Sequence, residues 1–326
     1  MVEFGGLTTE WLFGLPLPTL WFGLVLFALG AFLLLDGFDF GIGVLFATGS
    51  KSERERLLAV IGPFWDGNEV WLVVFGGLLF AAFPSAYASL FSRYYLLTFA
   101  ILAGLGLRGL APELYEQRDD DRWQRIWGLA FVVGSTLTPF LFGLLLVNWV
   151  TGATATLTLH GVFGGLALLA FCVLDGVAFC QLKTPGELAV RMRVHGLRAG
   201  IAYLALLLVS LAVSGVDLQS PVVLGCVFAS ILLIGAYSWT LRRDRPVGAF
   251  VAVGGVVLVL LVLFGGLAFP YIDRGAGLTI QDAFISPLMA NLMTIATALL
   301  LPLVLSYFVV LYSAFSGPIE SEESYG

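Results

Sequence analysis

Seven ionisable residues interrupt otherwise long apolar runs: Asp36, Asp39, Asp66, Glu69, Arg108, Glu113 and Asp175. An ionised side chain in hydrocarbon costs at least about 2.5–3.5 kcal/mol on insertion scales, so one that persists usually faces the protein interior and has a task. Asp36 and Asp39 are three residues apart, as are Asp66 and Glu69, so on a helix each pair shares a face. Arg108 is the cation among them and the natural partner for one or more of the acids. Buried carboxylates of which only some face a cation can hold and pass protons. The competing reading is an inert ion-pair network that fixes helix register. For Glu113 the competing reading is a side chain reaching the headgroup region from the end of its apolar run.

The elements that must position these residues are membrane spans. The chain has 326 residues, 59% of them hydrophobic and 12% charged, with a mean hydropathy of +0.98. A soluble domain carries roughly 25% charged residues. The net charge of −6 comes mostly from loops and the tail acids Glu320, Glu322 and Glu323, and no basic stripe suits nucleic acid. Cys172, Cys180 and Cys226 lie inside apolar runs without metal-ligand spacing and read as small hydrophobes in helix packing. The first residues lack a basic n-region and a small-residue cleavage site, so they do not read as a removed signal peptide.

Spanning helices need about 20 mostly apolar residues. The expected spans are 20–47, 61–91, 93–114, 126–150, 159–181, 199–215, 221–241, 247–270 and 287–315. Basic residues give the orientation. Lys51, Arg54 and Arg56 follow the first span; Arg118, Arg122 and Arg125 the third; Lys183, Arg191, Arg193 and Arg198 the fifth; Arg242, Arg243 and Arg245 the seventh. Thirteen of the sixteen Lys and Arg residues thus fall on alternate loops, and the opposite loops keep Arg93 and Arg274. This predicts an outside N-terminus, a cytoplasmic C-terminus and an odd number of spans. With about 1.5 Å rise per residue, Asp39 lies roughly 12 Å from the cytoplasmic end of its span and Asp66 roughly 8 Å from the start of its own. Arg108 and Asp175 lie about two turns from the cytoplasmic ends of theirs. Asp36, Asp39, Asp66, Glu69 and Asp175 are therefore expected around Arg108, off the midplane, as a half-channel filled from the cytoplasm.

A repeat organises the chain. Phe32-Leu33-Leu34-Leu35-Asp36-Gly37-Phe38-Asp39-Phe40 resembles Phe171-Cys172-Val173-Leu174-Asp175-Gly176-Val177-Ala178-Phe179, with five of nine positions identical. Four spans separate the copies, so both halves run the same way. The expected architecture is all-α, two parallel four-helix bundles (1–150 and 151–270) plus a peripheral ninth helix and tail (271–326). Gly37 and Gly41 form a small-xxx-small pair suited to close helix approach. Ligands for redox groups are sparse. His160 begins a span, His195 sits in a basic loop, and Met289 and Met293, one turn apart, read as packing. Haem takes axial His, Met, Cys or Tyr, and bis-ligated haems need two of these facing each other. No metal-ligand spacing, P-loop or nucleophile constellation is present, so redox chemistry is expected elsewhere.

Asp36-Gly37-Phe38-Asp39-Phe40-Gly41, and Gly62-Pro63-Phe64-Trp65-Asp66-Gly67-Asn68-Glu69-Val70-Trp71 after a short charged loop, resemble the signature of subunit II of cytochrome bd-type quinol oxidases. Phe80-Ala81-Ala82-Phe83-Pro84, Arg108 with an acid five positions on, and Leu278-Thr279-Ile280-Gln281-Asp282-Ala283 followed by Ser286-Pro287 fit the same family. The resemblance covers essentially the whole chain. It implies a multi-pass subunit of a terminal oxidase in a prokaryotic cytoplasmic membrane, one that oxidises quinol and reduces dioxygen to water with cytoplasmic protons. The implied partner, subunit I, carries two b-type haems, a d-type haem and the quinol site, and subunit II carries none of these. Asp66 matches the acid at the family's proton-pathway mouth, and Trp65, Asn68 and Trp71 belong to the packing of that motif. A structural quinone in this chain and small accessory subunits are left open. The second repeat departs from the first, with Ala178 where Asp39 stands. A proton-coupled secondary transporter is the alternative, since repeats and intramembrane acids suit one too. Its charges would meet at broken helices on the midplane, which the off-centre cluster disfavours. A third reading is a purely structural scaffold.

Overall fold

The computed structural model describes residues 11–12 and 15–318; the tail acids and the first ten residues lie outside them. Eleven helices account for nearly all of the described chain. They are α1 (Leu17–Phe46), α2 (Lys51–Ile61), α3 (Trp65–Ala82), α4 (Pro84–Arg93), α5 (Tyr95–Glu116) and α6 (Asp121–Thr151). After these come α7 (Leu159–Lys183), α8 (Glu187–Val213), α9 (Pro221–Arg242), α10 (Pro246–Ala268) and α11 (Pro287–Ala314). Two short antiparallel pairs complete it, Trp11–Leu12 with Leu15–Pro16 and Tyr271–Asp273 with Leu278–Thr279. Eight helices are long and apolar enough to cross a membrane, and α2 with α3, bent by 53°, makes a ninth span if counted together. The chain is a multi-pass membrane protein.

Three local expectations change. The span expected over 61–91 is two helices, because Pro84, which has no N–H to donate and restricts Phe83 before it, opens α4 at its first position. The basic stretch after α1 is not a loop but helix α2, started by a capping box in which Glu53 accepts the Ser50 backbone N–H at 2.8 Å. The basic stretch after α7 is mostly the first turns of α8.

These basic segments converge on one end of the molecule. Arg191 pairs with Glu53 at 2.7 Å and donates to the Thr48 carbonyl at 3.1 Å. Arg193 pairs with Asp244. Tyr115, near the end of α5, packs edge-on against Phe46 at the end of α1. At the opposite end Arg93 grips buried Asp273 at 2.8 Å.

Around the core, α1 packs on α3 and α6, and α5 on α6. Helices α7, α8, α9 and α10 pack in sequence, with α10 returning to α7. The two repeat-bearing helices, α1 and α7, meet directly. Their crossing depends on missing side chains: a Cβ on Gly41 would stand 1.8 Å from the Cys172 carbonyl oxygen, and one on Gly176 2.7 Å from the Gly41 backbone. Helix α11 lies outermost, with 6% of its apolar window buried.

Candidate functional site

Helix α1 places Asp36 and Asp39 one turn apart, and neither has any exposed surface. Arg108 reaches them from α5, itself 2% exposed. Its approach is set by α6, where a Cβ on Gly134 would meet the Arg108 backbone nitrogen at 2.6 Å and one on Gly104 of α5 would strike Thr138. So placed, Arg108 pairs through Nη1 with Asp36 Oδ1 at 2.8 Å and through Nη2 with Glu69 Oε2 at 3.2 Å. Its guanidinium also lies 4.5 Å from the centroid of the Phe40 ring, an arrangement favourable for a desolvated cation. One charge-delocalised side chain therefore ties α1, α3 and α5 together.

Asp39 is held differently. Asn68, buried in the first turn of α3, donates its amide N–H to Asp39 Oδ2 at 2.9 Å, and Tyr312 of α11 donates its hydroxyl to Asn68 Oδ1 at 2.8 Å. Asp39 Oδ1 has no hydrogen-bond partner among the described residues, and neither oxygen of Asp175 has one. Asp175 is fully buried on α7, its carboxylate resting where a Cβ on Gly37 would be, 2.9 Å away. Three wholly buried carboxylates thus share the core with one buried guanidinium. Burying that many acidic groups without matching donors is costly.

Not every expected member joins. Glu69 reaches Arg108 with 35% of its side chain exposed, whereas Asp66 is exposed and forms no hydrogen bond or ion pair among the described residues. Three residues turn a helix about 60° short of a full circle, and Glu69 already stands at the edge of the buried face, so Asp66 points outward. Asp175 does not reach Arg108 either, since it rides on α7 against α1 while Arg108 comes from α5. The expectation of five acids around Arg108 is corrected to Asp36 and Glu69 in contact with it. Asp39 lies one turn away, Asp175 across the α1–α7 crossing, and Asp66 outside.

Trp71 is buried between Phe27 and Phe308, and Trp65, half-buried, lies over Gly109. Glu113 is exposed near the end of α5. All three cysteines are buried and free. His160 Nε2 lies 3.2 Å from the Thr151 hydroxyl.

Two contributors were not singled out from sequence. Tyr312 is one of several hydroxyl residues near the end of an apolar helix, with Ser306, Tyr307 and Ser313, and a Tyr there is ordinarily an interfacial residue. Lys183 had been counted in a basic loop, yet it is buried, donates to the carbonyls of Phe315 and Gly317, and lies 5.0 Å over the Phe64 ring. No local signal marks either role, because each depends on residues more than a hundred positions away. An apolar cavity of about 110 Å³ lies between α1, α6, α7, α8 and α10, lined among others by Leu29, Leu33, Leu168, Tyr203, Leu207 and Phe264.

Comparison with known proteins identifies the family and the fold. The chain is 28% identical to the cytochrome bd ubiquinol oxidase subunit 2 of Bacillus subtilis (strain 168), over 94% of this chain and 98% of that protein. It is 27% identical to the cytochrome bd-I ubiquinol oxidase subunit 2 of Escherichia coli (strain K12), over 93% and 95% respectively. Its fold matches a chain in the structure of bd oxidase from Geobacillus thermodenitrificans with a TM-score of 0.75, at 17% identity, covering 91% of this chain and 98% of that one. Residues 17–315 match the family model described as cytochrome bd terminal oxidase subunit II, and the chain belongs to that family.

Proposed function

We propose that this subunit takes up protons for a quinol-oxidising terminal oxidase and supports the haem-bearing subunit I. The observation that carries the proposal is the line of carboxylates running from half-exposed Glu69 to the buried Asp36 and Asp39, tied to Arg108. Carboxylates in this setting exchange protons and hold them out of water. Cytoplasmic uptake is inferred from the basic segments, expected on that side, which gather at the end of the molecule nearer these acids. Asp66 and Glu69 open sideways on the surface of α3, where lipid would leave Glu69 poorly solvated. A partner subunit covering this face would supply the missing polar surroundings, so subunit I is assigned to the side bearing α3 and α5.

The b-type and d-type haems are assigned to subunit I. In this chain His160 is engaged by Thr151, and Met289 is exposed on α11. The apolar cavity beside Tyr203 suits the tail of a structural quinone, held by Leu29, Leu33, Leu168, Leu207 and Phe264. Such a quinone would add packing between the two halves.

The test is Asp39→Asn in the assembled complex in proteoliposomes. Quinol-driven oxygen consumption and charge movement are expected to fall about 100-fold or more, in the range usual for a lost proton-transfer group. Wild-type rates in that variant, or in Asp66→Asn for the outer mouth, would rule out the role assigned to the residue.

A further inference from the structure

We propose that Tyr312, on the outermost helix α11, is a positioning residue that sets which face of the Asn68 amide meets Asp39. This rests on the proton-uptake reading above. Asn68 has two side-chain partners among the described residues, and they fix its orientation jointly. Its Nδ2 donates to Asp39 Oδ2 at 2.9 Å, and its Oδ1 accepts the Tyr312 hydroxyl at 2.8 Å. A hydroxyl can donate into the amide only while the oxygen faces it, and that leaves the N–H₂ facing Asp39. Without the hydroxyl, Asp39 alone holds the amide: its ionised carboxylate keeps the N–H₂ facing it, whereas a protonated Asp39 can donate its own O–H to an amide oxygen turned toward it.

The phenol is itself held. Its ring stacks on Phe64 at 4.7 Å and 30°, and Phe64 is buried under the Lys183 ammonium. Lys183 in turn binds the Phe315 and Gly317 carbonyls just beyond α11. Toward the other end, Trp21 of α1 donates its indole N–H to Thr294 at 3.0 Å, and Phe308 packs on Trp71. A helix almost bare of burial is therefore pinned along its length, and the polar group it delivers inward lands two hydrogen bonds from a fully buried carboxylate. Anchoring of this kind accounts for an exposed helix carrying a buried task.

Tyr312→Phe keeps the ring and its stacking on Phe64 and removes the hydroxyl alone. Turnover is measured as quinol-driven oxygen consumption per assembled complex, so that any change in yield cancels. The expected loss is about 3- to 10-fold, the size of one hydrogen bond's contribution. In an Asn68→Ala background the same substitution is expected to change turnover less than about 2-fold, because the path through the amide is already gone. A redox-induced infrared difference band in the carbonyl-stretch region that disappears in Asp39→Asn is expected to shift in Tyr312→Phe, which loss of packing alone would not produce. Wild-type turnover in Tyr312→Phe, or an equal slowing with and without Asn68, overturns the inference while leaving proton uptake standing if Asp39→Asn is slow. Wild-type turnover in Asp39→Asn overturns both.

Discussion

Replacing Arg108 with methionine tests whether the guanidinium holds the acidic core together. Arg108 is 2% exposed, Asp36 has no exposed surface, and their atoms are 2.8 Å apart. Removing one partner of such a pair leaves the other buried and uncompensated, at a cost of about 3–5 kcal/mol. Glu69 adds little, since an ion pair with 35% of its carboxylate side chain exposed is worth at most about 1 kcal/mol. The expected loss for Arg108→Met is therefore about 4 kcal/mol, roughly a thousandfold in the folding equilibrium. It would be read by unfolding the purified complex in mixed micelles of increasing SDS content and by the yield of assembled complex. Adding Asp36→Asn should restore about 2 kcal/mol or more, because the orphaned charge is then gone. Two results refute the reasoning: Arg108→Met within about 1 kcal/mol of wild type, or a double variant no more stable than the single one.

Two further outcomes follow from the packing. Gly41→Ala should prevent assembly or cost at least about 3 kcal/mol, since its Cβ would collide with backbone of α7 that cannot turn aside. Gly23→Ala on the same helix, with nothing within 4 Å of its Cβ, should be neutral in the same unfolding assay. Glu53 accepts the Ser50 backbone N–H, and that bond holds its carboxyl below the usual glutamate range. The cap should therefore be fully present above the ordinary glutamate pKa of about 4.3 and fade as pH falls through Glu53's lower one. Glu53→Ala should cost about 1 kcal/mol at neutral pH, and the difference from wild type should shrink in acid, as followed by thermal unfolding.

Much of the frame was legible along the chain because insertion into a membrane is decided residue by residue. Long apolar runs located the spans, and the alternation of Lys51, Arg54 and Arg56 with the later basic groups predicted which loops share a side. Spacing put Asp36 beside Asp39, its being the one cation within the spans made Arg108 the partner for one or more of the acids, and the Gly37–Gly41 pair marked a close approach of helices. The break at Phe83 and Pro84 carried its own signal, outweighed by the apolar stretch on either side. Helix α2 was hidden because its charged composition looks like a loop until Ser50 and Glu53 are read as a cap.

What sequence could not supply was direction around each helix. Whether Asp66 faces Arg108 or the outside depends on how α3 is rotated against α1 and α5, and one turn of sequence carries both outcomes. That rotation is decided by contacts between distant segments: Gly41 on Gly176, Gly134 on the backbone of Arg108, Tyr312 on Asn68. Each joins residues that neither hydropathy nor spacing relates, because the constraint is the space between helices and not the character of either one. The sequence by itself determined that costly acids and one arginine lie within the membrane. The tertiary structure decided that Asp36 and Glu69 share that arginine, that Asp39 is held through an amide, and that the outermost helix reaches in to hold it.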